Sequence, residues 1–220
     1  MTTEFWALWA EVIAELEGLG IRAGPGSFTA YNDGDAGFSR TIWCLVRHLR
    51  PDRVIETGVA HAVSSRFILE ALERNSAGHL WSIDLPPFER AWRKQVGMAV
   101  GNRFAHRWSY MDGSSRRLLP GLLSRLANID LFIHDSLHSE RNVRFEIDRA
   151  YAALRTGGAI VVDDVDVNDA FRSFKEGFSG FESIVCEAEP FRPDLRRFNR
   201  KGLFGIVLKR SIARATTTSG

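Results

Sequence analysis

The segment IDLFIHDSLHSERNVRFEIDRAYAALRTGGAIVVDDV, residues 129–165, contains two short apolar runs separated by a longer stretch with helical periodicity. Similar apolar runs precede it from residue 53 onward, namely RVIET, HLWSIDL and FAHRWSY, again with helical stretches between them. This alternation is typical of repeated strand–helix–strand units with parallel strands. We therefore predict an α/β fold of the Rossmann-like class, with helices on both faces of one sheet.

Two further apolar runs near the end of the chain complete the predicted sheet. These runs are FESIVCEAE and LFGIVLKR, and only a loop lies between them. Without a helix to carry the chain back, consecutive strands are antiparallel. The sequence thus predicts a seven-stranded, mostly parallel sheet with an antiparallel pair at its edge.

The predicted sheet domain covers residues 40–210. Residues 1–39 precede it as an extension, in which apolar residues recur at helical spacing over residues 4–17. The glycine-rich segment 20–37 is either a plain connector or a flap over a site. Residues 211–220 contain few apolar side chains, so we expect a disordered tail.

The charge balance gives no indication of a nucleic-acid partner. The chain carries 29 basic and 27 acidic residues, a net charge of +2, and both signs are dispersed along it. The densest basic stretch, residues 190–202, is expected to be a solvated loop or a binding site for an acidic ligand.

The cysteines and the first helix indicate the compartment. Cys44 and Cys186 both lie in apolar runs, which favours buried thiols in a reducing environment over a disulfide framework. The N-terminal segment alternates apolar and acidic residues, unlike a signal peptide or a membrane span. We predict a cytoplasmic protein that does not associate with membranes.

Acidic residues stand at or just after the end of each predicted parallel strand. Their spacing of about one strand–helix unit places them together at the carboxyl edge of the sheet, where α/β proteins bind ligands. A single aspartate there could equally be a helix cap. The series is Glu56, Asp84, Asp112, Asp135, and Asp163 with Asp164.

The second acid indicates the class of ligand. Asp84 ends the second predicted strand, where a carboxylate accepts hydrogen bonds from both ribose hydroxyls. An adenosine-containing ligand follows, which could be NAD or S-adenosylmethionine.

The first loop favours S-adenosylmethionine. Residues 56–64, ETGVAHAVS, contain only Gly58, whereas a pyrophosphate needs several glycines for close approach. Ser64 opens the next helix, where a hydroxyl and helix N–H groups can hold a single carboxylate. Gly58 would allow close passage of the ligand, and Glu56 would order the loop or accept from the ligand's amino group.

These motifs together resemble class I S-adenosylmethionine-dependent methyltransferases, and in particular a bacterial small-molecule O-methyltransferase-like group. The features are the E-x-G-x-x-x-(G/A)-x-S loop, H-D-S-x-H after the fourth strand, and D-D after the fifth. The resemblance implies methylation of a small-molecule hydroxyl. It also implies that Glu56, Gly58 and Ser64 contact the methionine end, Asp84 the ribose, and Asp112 the adenine amine.

The chain departs from the family pattern at two places. Ala62 stands where glycine is common, and the H-S-E of residues 138–140 lacks the usual aromatic residue after His-Ser. Ala62 would narrow the cofactor loop.

The predicted catalytic residues are His138 and Asp135. His138 follows the fourth strand by a few residues and would be the general base, while His134, at the strand's end, is expected to be structural. Three carboxylates from two strand ends would suit a divalent ion such as Mg²⁺, which lowers the pKa of a bound hydroxyl. These are Asp135, Asp163 and Asp164.

Alternatives remain open from the sequence. An NAD-type oxidoreductase and a non-catalytic cofactor-binding module could use the same sheet. The first helix could pack on the body of the protein or on a second subunit, which would make a homodimer.

Overall fold

A computed structural model gives the fold of the chain. The structure describes residues 2–19, 35–86, 88–187 and 202–210. Most of the predicted flap segment, nearly all of the basic stretch and the predicted tail lie outside the described residues.

Within the described residues, seven strands form one sheet in the order β3-β2-β1-β4-β5-β7-β6. The first five are mutually parallel where they pair, β7 is antiparallel to β5, and β6 pairs antiparallel with β7 as the outermost strand. The predicted fold class and the antiparallel pair at the edge are confirmed. The strands are β1 Arg53–Thr57, β2 His79–Asp84, β3 Trp108–Asp112, β4 Ile129–His134, β5 Leu154–Val162, β6 Phe181–Glu187 and β7 Leu203–Lys209.

Helices cover both faces of the sheet. Helices α1 to α3 share one apolar core with the sheet, and α5 to α7 share a second. The helices are α1 Thr2–Gly18, α2 Ala36–Leu49, α3 Val63–Asn75, α4 Arg90–Arg93, α5 Ser115–Leu126, α6 Glu140–Ala153 and α7 Ala170–Gly177.

Alternation along the strands divides the two cores. On β4, Leu131 and Ile133 belong to the first core and Phe132 to the second, and all three are fully buried. Successive side chains of a strand point to opposite faces, so a strand covered on both sides is apolar throughout. This explains why the central strands appear in the sequence as unbroken apolar runs.

The first helix packs on the body of the protein. The rings of Trp9 and Phe67 stack at 5.3 Å between centroids, and Phe5 lies 5.4 Å from Phe67. The buried guanidinium of Arg66 on α3 reaches Glu15 of α1 at 2.8 Å. Of the two packing arrangements left open by the sequence, the described residues therefore contain the intramolecular one.

The predicted division at residues 39 and 40 falls inside α2, which begins at Ala36. The separation of an extension from a sheet domain stays a prediction. Among the described residues, no helix combines the length and the apolar character needed to cross a bilayer.

The third strand begins later than the apolar run FAHRWSY suggested. Phe104 belongs to a short 3-10 helix, Asn102–Phe104, and its side chain is buried in the first core. Arg66 lies over the Phe104 ring at 5.4 Å. Phe104 thus serves the helical layer, and the strand itself starts at Trp108.

Candidate active site

Strand pairing brings the predicted acids to one edge of the sheet. Glu56 of β1 lies opposite Ser82 of β2 and Ile133 of β4, and Asp84 lies opposite Asp112. Asp135 and Asp163 each follow the last residue of their strand. The parallel arrangement therefore places all of these residues at the carboxyl edge, as predicted.

Glu56 is fully buried beneath the first loop. Its carboxyl group accepts hydrogen bonds from Ser64 Oγ at 2.7 Å, Ser65 Oγ at 2.5 Å and Ser82 Oγ at 2.9 Å. Burial raises the pKa of Glu56 to about 7, although the three hydroxyls oppose this shift. These hydrogen bonds join Glu56 to the first turn of α3, and its contact with the ligand's amino group stays a prediction.

The Ser64 hydroxyl is committed to Glu56. Ser64 lies in the first turn of α3, where helix N–H groups without intrahelical partners are available to an anion. Because its proton points at the Glu56 carboxyl, the hydroxyl cannot donate to a ligand carboxylate at the same time. Contact between Ser64 and the methionine end stays a prediction.

Several residues of the first loop have left-handed backbone conformations. Gly58 has φ 89°, Ala60 has φ 46°, and Ala62, which precedes α3, has φ 67°. A left-handed conformation costs an alanine about 1–2 kcal/mol relative to the right-handed one, whereas glycine adopts it readily. The glycine common at the position of Ala62 in the resembling family therefore has a backbone reason here.

Asp84 ends β2 at the mouth of this loop and is partly exposed. Its Oδ2 accepts from the backbone N–H of Ala60 at 3.4 Å. Burial raises the pKa of Asp84, and the charge of Asp112 adds to this, while backbone N–H groups of Ala60, Leu85 and Val59 lower it. The carboxyl group stands where a ribose contact was predicted.

Asp112 is paired with an arginine that the sequence analysis did not single out. It is the last residue of β3, and its carboxylate forms an ion pair with Arg93 of α4. Ser114, two residues later, precedes α5 as the N-cap residue. The alternative that Asp112 caps this helix is not what the structure shows, and no sequence signal links Arg93 to it.

His138 lies among the carboxylates that follow β4 and β5. Its Nε2 is 3.8 Å from Asp135 Oδ1 and 3.9 Å from Asp164 Oδ2. Asp135, His138 and Asp163 each offer a ligand atom within 4.8 Å of the others. The predicted metal ligands were Asp135, Asp163 and Asp164, so this compact group contains His138 in place of Asp164.

The carboxyl groups of Asp135 and Asp163 both have raised pKa values. Burial and the charges of Asp163, Glu56 and Asp164 raise the pKa of Asp135 well above its ordinary value. The pKa of Asp163 is raised by burial and then by Asp164 and Asp35. A divalent cation would relieve this repulsion, and carboxylate oxygens are the ligands that Mg²⁺ prefers, so the donor set fits such an ion.

His134 is buried and structural, as predicted. Its Nδ1 lies 2.6 Å from Glu146 Oε2, and both side chains are fully buried. Burial alone would raise the pKa of Glu146, but the hydrogen bond and charge of His134 lower it. Glu146 was not among the predicted residues, and its one signal in the sequence is an acid on the apolar face of α6 formed by Val143, Ile147 and Ala150.

A cavity of about 570 Å³ lies along the loop between β5 and α7. Phe171 of α7 is buried and also lines this cavity. Asn168, another lining residue, donates from Nδ2 to the backbone carbonyl of His138 at 2.9 Å. The remaining lining residues are Glu140, Val165, Asp166, Val167, Asp169, Arg172, Lys175, Val185 and Leu203.

A family model described as a methyltransferase domain matches residues 55–165, just over half of the chain. The chain belongs to this methyltransferase domain family. The matched residues run from β1 to the loop after β5 and include each predicted site residue. The family prediction is confirmed, and it decides for a methyltransferase over an oxidoreductase.

Solved methyltransferase structures share this domain's fold. The O-methyltransferase TomG from Streptomyces achromogenes, involved in tomaymycin synthesis and solved with SAM, is 20% identical with a TM-score of 0.63, over 80% of this chain and 81% of TomG. An O-methyltransferase from Bacillus cereus in complex with SAH is 14% identical with a TM-score of 0.59, over 91% and 90% of the two chains. At these identities the similarity establishes the fold. No curated protein matches the sequence significantly.

Proposed function

We propose that this methyltransferase domain transfers the methyl group of S-adenosylmethionine to a hydroxyl group of a small molecule. The observation that carries the proposal is the position of His138 between Asp135 and Asp164, at the same sheet edge as Asp84. This arrangement supports a base for the acceptor and a carboxylate for the ribose on one edge of the sheet. The similar structures of TomG and the Bacillus cereus enzyme, which hold SAM and SAH, support the cofactor.

The cofactor would lie across the first loop. Asp84 would accept from the ribose hydroxyls, and Asp112 would meet the adenine amine after release or rearrangement of Arg93. Ser64, through its backbone N–H at the start of α3, would hold the methionine carboxylate. Gly58 and Glu56 would act on the methionine end by shaping the loop.

Catalysis requires positioning and removal of one proton. S-adenosylmethionine supplies a methyl group on a sulfonium, and the neutral thioether of S-adenosylhomocysteine would leave with the electron pair of the carbon–sulfur bond. His138 Nε2 would accept the proton of the acceptor hydroxyl as the oxygen forms its bond to the methyl carbon. In-line positioning of the two reactants contributes up to about 7–11 kcal/mol, and a general base contributes about 100-fold or more.

A divalent ion such as Mg²⁺ would be held by Asp135, Asp163 and Asp164. It would lower the pKa of the acceptor hydroxyl. An imidazole nitrogen bound to a metal cannot accept a proton, so the compact group of Asp135, His138 and Asp163 would exclude His138 as base. We propose the carboxylate set for the metal and His138 for the proton.

The acceptor would occupy the cavity beside the loop between β5 and α7. Its wall combines apolar side chains such as Val165 and Phe171 with the charged groups Glu140 and Lys175. Such a lining suits a small molecule with an apolar body and polar substituents. A homodimer, the absence of a nucleic-acid partner and a cytoplasmic location stay predictions.

Calorimetric titration tests the cofactor. We expect S-adenosylmethionine to bind and NAD not to bind, because the first loop lacks the glycines that a pyrophosphate requires. Binding of NAD alone would overturn the proposed cofactor.

Methyl transfer to a panel of hydroxylated small molecules, followed by S-adenosylhomocysteine release, tests the reaction. His138→Ala should slow transfer about 100-fold or more while leaving S-adenosylmethionine binding intact. His106→Ala, at an exposed position paired with Glu73, is the matched control and should be fully active. A His138→Ala variant with normal turnover would refute the base assignment. Cofactor binding without turnover of any acceptor would favour a non-catalytic module.

A further inference from the structure

A buried hydrogen-bond network surrounds Glu146, beneath the loop that carries His138. The Glu146 carboxyl group accepts from Thr57 Oγ1 at 2.6 Å, Ser136 Oγ at 2.9 Å and Asn142 Nδ2 at 2.9 Å. With His134 Nδ1 at 2.6 Å, the network joins the ends of β1 and β4 to α6. It therefore fixes the backbone on both sides of residues 135–139.

His134 connects this network to His138, the candidate base. The rings of His134 and His138 meet edge to face, with centroids 5.5 Å apart and planes at 85°. Within the described part of the chain, the buried Nε2 of His134 has no hydrogen-bond partner. The orientation of the His134 ring is thus set by Glu146 at Nδ1 and by packing against its surroundings, including His138.

The His138 imidazole faces two carboxylates that follow β4 and β5. Its Nε2 stands 3.8 Å and 3.9 Å from the nearest oxygens of Asp135 and Asp164, beyond hydrogen-bond distance. Its backbone carbonyl is held by Asn168. The edge-to-face contact with His134 acts on the imidazole ring itself.

We propose that His134 and Glu146 are positioning residues for His138. Glu146 fixes the His134 imidazole, and the His134 ring holds the His138 imidazole toward the acceptor site. This inference rests on the proposed role of His138 as general base. It assigns a catalytic purpose to a pair that stability alone would otherwise explain.

A double-mutant cycle tests the inference. In His134→Asn, the side-chain amide can still donate to Glu146, but the ring that contacts His138 is gone. We expect kcat to fall about tenfold, part of the contribution of a positioned base, with KM and S-adenosylmethionine affinity nearly unchanged. Tm should fall because a fully buried ring is removed, so kcat is measured below the unfolding transition of the variant. In a His138→Ala background the same substitution should have no further effect on kcat.

The matched control is His79→Asn. His79 is a half-buried histidine at the start of β2 whose Nε2 lies 2.9 Å from Ser109 Oγ, away from the carboxyl edge. The substitution His79→Asn should leave kcat unchanged. If the His134→Asn and His138→Ala effects on kcat multiply, His134 acts independently of the base and the inference is wrong.

A second variant and an NMR measurement test the inference if His134→Asn does not fold or if turnover cannot be measured. If His134→Asn does not fold, Glu146→Gln takes its place in the cycle with the same expectation. Relaxation of the His138 ring carbons by NMR needs no turnover, and we expect faster ring motion in the variant; unchanged motion would contradict positioning. Full activity of His138→Ala would remove the base assignment and this inference together, whereas a normal His134→Asn kcat would remove this inference alone.

Discussion

Gly58 in the cofactor loop packs directly on the backbone of Asp135. A β-carbon at Gly58 would lie 1.8 Å from the Asp135 carbonyl oxygen, and Asp135 N donates to Thr57 O at 2.8 Å. Glycine is therefore required here by a neighbouring strand end, in addition to any close passage of a ligand. The contact couples the proposed cofactor loop to the proposed catalytic loop.

Gly58→Ala should destabilise the protein and impair catalysis. The backbone has φ 89°, which costs an alanine about 1–2 kcal/mol, and the new methyl group would displace the Asp135 carbonyl. We expect a loss of more than about 2 kcal/mol in the free energy of unfolding by urea. Gly121→Ala in α5, where a β-carbon meets open space, should be neutral or stabilising. Equal stability of the two variants would contradict this packing argument.

Asp84→Ala should abolish measurable S-adenosylmethionine binding. Two hydrogen bonds from ribose to a carboxylate are worth about 1.5–3 kcal/mol each, which corresponds to at least about 100-fold in Kd. Calorimetry measures the loss. Asp148→Asn, at an aspartate of α6 paired with Arg144, is the control and should bind normally. Retained affinity in Asp84→Ala would disprove the ribose assignment.

The ion pair between Arg93 and Asp112 leads to a prediction for stability and for cofactor binding. Both side chains are about half exposed, at 45% and 46%, so the pair should contribute less than about 1 kcal/mol to stability. If Asp112 meets the adenine amine, Asp112→Asn should weaken S-adenosylmethionine binding, while Arg93→Gln should not weaken it. Weaker binding in Arg93→Gln would indicate that the arginine, rather than Asp112, contacts the cofactor.

Glu56 should make the stability of the protein fall as pH rises. Its pKa is about 7 in the folded protein against an ordinary value of 4.5, so the folded state binds the proton more tightly. Between these values the unfolded chain loses its proton first, and folding loses about 3 kcal/mol of stability across the window, at about 1.4 kcal/mol per pH unit. Below pH 4.5 this penalty is absent, and above pH 7 it is complete.

Urea unfolding at a series of pH values measures this dependence. Glu56→Gln should show a smaller decline in stability than the native protein between pH 4.5 and 7, because only Asp84, Asp135 and Asp163, whose pKa values are also raised, would still contribute. Glu176→Gln, at an exposed position of α7, should retain it. Parallel curves for the native protein and Glu56→Gln would show that another group is responsible.

Divalent-ion binding should strengthen with rising pH. The pKa values of Asp135 and Asp163 are raised, and a metal can bind only after these carboxyl groups lose their protons. Titration with Mg²⁺ or Mn²⁺ should give a lower Kd at mildly alkaline than at acidic pH, and Asp163→Asn should bind more weakly at both. Methyl transfer that survives thorough chelation with EDTA would rule out a catalytic metal.

Much of the site follows from sequence pattern because parallel strands share one direction. The spacing of the apolar runs placed Asp84, Asp112 and Asp135 at one edge, and the pairing of the strands bears this out. The same pattern could not locate the start of β3, because Phe104 is apolar for another reason. Its side chain is buried in the first core from a short 3-10 helix.

The sequence by itself determined the α/β class, the strand-end acids and the methyltransferase family, because these depend on periodicity and on motifs local in the chain. Only the tertiary structure decided which groups the acids face. Glu56 meets Ser82 from a neighbouring strand, Asp112 meets Arg93, and His134 meets Glu146. These contacts depend on strand register and helix rotation in three dimensions, and they set the burial and charge that control each proton.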